Sequence, residues 1–102
     1  MEEILERMEK DLDNTRTELM SCVNPFQLDS LAYKLVIKND IFGMFENEVI
    51  DISNYVNILK NEEKPLERLY NIFEDMIIDN NMIKEETIID CLNIIKEDFK
   101  NE

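Results

Sequence analysis

The side chains able to do chemistry are 24 carboxylates, 11 bases, two cysteines and three tyrosines, in a chain of 102 residues with no histidine. Without imidazole there is no Ser-His-Asp or Cys-His nucleophile system and no histidine-ligated metal. A single glycine, Gly43, leaves no glycine-rich loop to cradle a phosphate. Cys22 and Cys91 each fall on an apolar stripe far apart in sequence, which points to buried free thiols rather than a disulfide. Asp79-Asn80-Asn81 followed by Glu85-Glu86 offers oxygen ligands, but lacks the spacing and central glycine of a calcium loop. Paired carboxylates arise by chance at this acid content, and nothing marks one pair as perturbed. The expectation is a protein without catalysis, cofactor or metal.

The chemistry that remains is electrostatic. The formal net charge is −13, and it is unevenly placed. Residues 40–51 hold Asp40, Glu46, Glu48 and Asp51 with no base, a net of −4. Residues 74–90 hold Glu74, Asp75, Asp79, Glu85, Glu86 and Asp90 against Lys84 alone, a net of −5. Such a field repels nucleic acid and anionic membranes and attracts basic surfaces. These ten acids are the candidate partner-binding residues. Phe42 and Phe45 join them, because with Met44 they crowd a short segment that one helix face cannot wholly bury. The alternatives are plain solubility for the acids and core burial for the aromatics.

Helices must carry these groups. Periods of 3.6 residues run through most of the chain, and no segment alternates long enough for a convincing strand. Over residues 2–22 the stripe Leu5, Met8, Leu12, Thr15, Leu19, Cys22 has heptad spacing. It predicts either bundle packing or a self-pairing dimer seam through Leu5, Met8, Leu12 and Leu19. Asn24-Pro25 breaks that helix and caps the next. Leu28, Leu31, Ala32, Leu35 and Val36 then form a stripe over residues 26–38. Beyond Asn39-Asp40 the chain either restarts as a short helix or runs on to Glu46. Asp51 is an N-cap for a stretch carrying Ile52, Tyr55, Val56 and Leu59, and Pro65 opens a helix with Leu66, Leu69, Tyr70 and Phe73. A last helix over residues 84–100 carries Ile88, Cys91, Leu92 and Ile95, with acids opening and lysines closing it. The fold class is all-α: one compact bundle of five to six short helices with no significant sheet, a single domain over residues 1–102.

The series Leu28-x-x-x-Ala32-Tyr33-x-x-x-Ile37-x-x-Asp40-Ile41, followed by Pro65-Leu66-x-x-Leu69-Tyr70, resembles a small uncharacterised helical family of Firmicutes and their mobile elements. The likeness spans roughly residues 4–99. The chain departs from that pattern at Phe-Gln-Leu-Asp-Ser after Pro25 and in a longer connector near Glu62-Glu63. The resemblance implies a helical fold and a mobile-element setting, and it brings no catalytic residues. Fourteen Ile and 12 Asn against one Ala agree with an AT-rich genome.

Acids at the N-terminus and the lack of a long apolar run lead to an expected cytoplasmic location in a bacterial host. The expected function is partner binding: a phage or mobile-element inhibitor of a host-defence complex, such as a CRISPR effector or restriction enzyme. It would occupy a basic nucleic-acid-binding surface, with no direct contact to nucleic acid or membrane. The alternative is a helical homodimeric assembly module. A helix-turn-helix regulator around Asn39-Asp40 fails because residues 40–51 offer no base to meet phosphate.

Overall fold

Asn24 accepts the Phe26 N–H at 2.9 Å, and Pro25 supplies a first-turn residue whose missing N–H is no loss, so a helix must start there. In the computed structural model, which describes residues 2–76 and 85–100, that helix is α2, Pro25–Glu46. It follows α1, Glu2–Ser21, and precedes a 3-10 turn, Ile52–Asn54. Then come a short α3, Val56–Leu59, followed by α4, Pro65–Met76, and α5, Glu85–Lys100. No strand occurs among the described residues, and the architecture is an all-α bundle.

The continuous α2 settles the question left at Asn39-Asp40. Both residues lie inside the helix, and Gly43 sits in its last turn without breaking it. The helix stops at Asn47, whose N–H returns to the Gly43 carbonyl at 2.9 Å. Glu48 then takes φ 60, the left-handed conformation that terminates helices and that glycine usually supplies. Asp51 caps the 3-10 turn by accepting the Ser53 N–H at 3.0 Å.

α1 packs on α2 and α4, α2 on α4, α4 on α5, and α3 on α5. Their shared core takes Ile4, Met8 and Leu12 from α1, Ile37, Ile41 and Phe45 from α2, and Leu66, Leu69 and Phe73 from α4. Ile88, Cys91, Leu92 and Ile95 close it from α5.

Two expectations change here. The α1 stripe is internal: Met8 and Leu12 are fully buried, while Leu5 and Leu19 are half-buried. The proposed dimer seam is therefore spent on the chain's own α2 and α4, and heptad spacing marks an apolar face without saying which helix fills it. On α2 the stripe chosen from spacing is divided by the fold. Leu28, Ala32 and Val36 are exposed, Leu31 and Leu35 are half-buried with Leu35 packed against the core, and the buried face is Ile37, Lys38, Ile41 and Phe45. α2 is apolar on both sides, so periodicity alone could not say which side turns inward.

Candidate functional site

The sign of the surface is set by what happens to the bases. Lys38 is 1% exposed, deep between α1, α2 and α4. Its Nζ donates to Asp11 Oδ1 at 2.6 Å and to Thr15 Oγ1 at 3.0 Å, and it pairs with Glu67. A buried ammonium needs such partners, because desolvation costs several kcal/mol per ion. The other Asp11 oxygen accepts the Glu67 N–H at 2.8 Å, so α1 supplies a cap for the first turn of α4. The Glu67 carboxylate also takes Lys34 at 2.7 Å. Burial pushes the Glu67 carboxyl upward, but the two lysines outweigh it and hold it below the usual range.

Other bases are also tied down. Arg7 donates to the Lys60 and Glu62 carbonyls at 2.7 and 3.3 Å, holding the end of α3 to α1. Arg16 pairs with Asp13 at 2.7 Å, and Arg68 with Asp98 at 2.6 Å. The acids of residues 40–51 are treated differently. Asp40, Glu46, Glu48 and Asp51 are all exposed, and among the described residues none pairs with a base. Asp40 stands on α2, Glu46 is its final residue, Glu48 follows in the left-handed position, and Asp51 caps the next turn. The Ser53 hydroxyl and N–H hold the Asp51 carboxyl below its ordinary value.

The second acidic stretch is less uniform. Glu74 accepts the Tyr70 hydroxyl at 2.5 Å, and burial together with this carboxylate pushes the phenol well above its usual range. Glu85 and Glu86 open α5, where they favour the helix dipole. Asp75 and Asp90 are exposed, and Asp79 lies outside the described residues, as do Asn80 and Asn81. Local helix chemistry thus accounts for Glu74, Glu85 and Glu86 without a partner.

The aromatic patch is corrected. Phe45 is 2% exposed and belongs to the core, and Phe42 and Met44 are half-buried against it. The segment lies across one long helix that packs on α1 and α4, so most of its apolar surface goes inward. Cys91 is buried and Cys22 half-buried, both free. Burial pushes the Cys91 thiol up to about 11, which keeps it protonated and unreactive near neutral pH.

Spacing could not reveal the Lys38, Asp11 and Glu67 cluster, whose members are 27 and 29 residues apart along the chain. A lysine inside the Ile37–Ile41 run was its one sequence signal. A shallow cleft of about 240 Å³ lies above this cluster, lined by Arg7, Lys10, Asp11, Asn14, Glu63 and Lys64. It mixes both signs of charge, with Asp11 already committed to Lys38. No family model, curated protein or solved structure matches this chain.

Proposed function

We propose that the protein acts by binding a basic protein surface through the acidic end of α2, residues 40–51, and that it competes there with nucleic acid. One observation carries this reading: two acids of that segment, Glu46 and Glu48, sit where they cost stability and form no ion pair among the described residues. Glu46 occupies the last turn of α2, where the helix dipole disfavours negative charge, and no base stands in that turn. Glu48 adopts φ 60, a conformation that costs a residue with a Cβ about 1–2 kcal/mol. Local rules broken without structural return are characteristic of functional positions. Exposed carboxylates on a rigid helix end offer a repeated negative pattern to a groove built for phosphates. A nuclease complex of host defence, a CRISPR effector or restriction enzyme, is the kind of target this chemistry fits, and occupancy alone would inhibit it. This reading needs no reaction.

The test uses a host lysate passed over the immobilised chain. Captured proteins should be nucleic-acid binders, released by salt and displaced by duplex DNA. The variant Asp40→Lys, Glu46→Lys, Glu48→Lys should capture none of them while keeping full helix content, with Asp51 left in place because it caps a turn. Capture unaltered by the three reversals and by salt would sink the proposal.

A further inference from the structure

We draw no further inference here: the strongest candidate, the outer apolar face of α2 around Ala32 and Val36, is bordered by the exposed Asp29 and Asp40, and nothing in the structure shows what covers it.

Discussion

Lys38 is where a single residue decides most. Its ammonium sits among Asp11, Thr15 and Glu67, and removing it strands a buried carboxylate. Lys38→Met should therefore cost about 3–5 kcal/mol in chemical denaturation. Adding Asp11→Asn should recover much of that loss, because the uncompensated charge disappears. Glu67 gives the cluster a pH signature. Its folded carboxyl lies below the unfolded value of 4.5, so its contribution is complete above that pH and is lost as pH falls through the folded value. Glu67→Gln should flatten the acid limb of the stability profile below about pH 4.5 and leave its shape near neutrality unchanged. At the thiols, a disulfide reagent should titrate Cys22 in the native protein and reach Cys91 only after unfolding, since Cys91 is fully buried.

At the scale of elements, α2 carries the informative variants. A Cβ added at Gly43 would meet only the Asn47 side chain at 4.0 Å, so Gly43→Ala should stabilise the protein by about 0.5–1 kcal/mol, read as a higher denaturation midpoint. Glu48→Gly should also stabilise, by relieving the φ 60 conformation, while weakening partner binding. The two helix ends predict opposite responses to charge reversal. Glu46→Lys at the end of α2 should raise stability by about 0.5 kcal/mol, and Glu86→Lys at the start of α5 should lower it by a similar amount. On α1, Leu12→Glu should unfold the chain rather than produce a folded monomer, because Leu12 is 1% exposed inside the core.

For the whole molecule, the net charge of −13 sets the response to salt. Binding of a basic protein through residues 40–51 should weaken as salt rises. Charge reversal at Asp40, Glu46 and Glu48 should remove that salt dependence along with the binding.

The sequence by itself determined the helical class, the chain breaks and the caps. Asn24-Pro25, Asp51 and Pro65 act through bonds or backbone restrictions within a few residues, so their positions are legible without a fold. It also determined that residues 40–51 are acidic and lack bases, which no tertiary arrangement can change. Only the tertiary structure decided which of two apolar faces of α2 is inside, because periodicity gives direction around one helix and not the position of its neighbours. Only it decided that the α1 stripe is core rather than seam, and that Phe45 is buried rather than offered to a partner. It alone brought Lys38 to Asp11 and Glu67, since an ion pair across three helices depends on packing between segments distant in sequence. That pairing withdraws a base from the surface, while Asp29 and Asp40 stay exposed beside the outer apolar residues of α2.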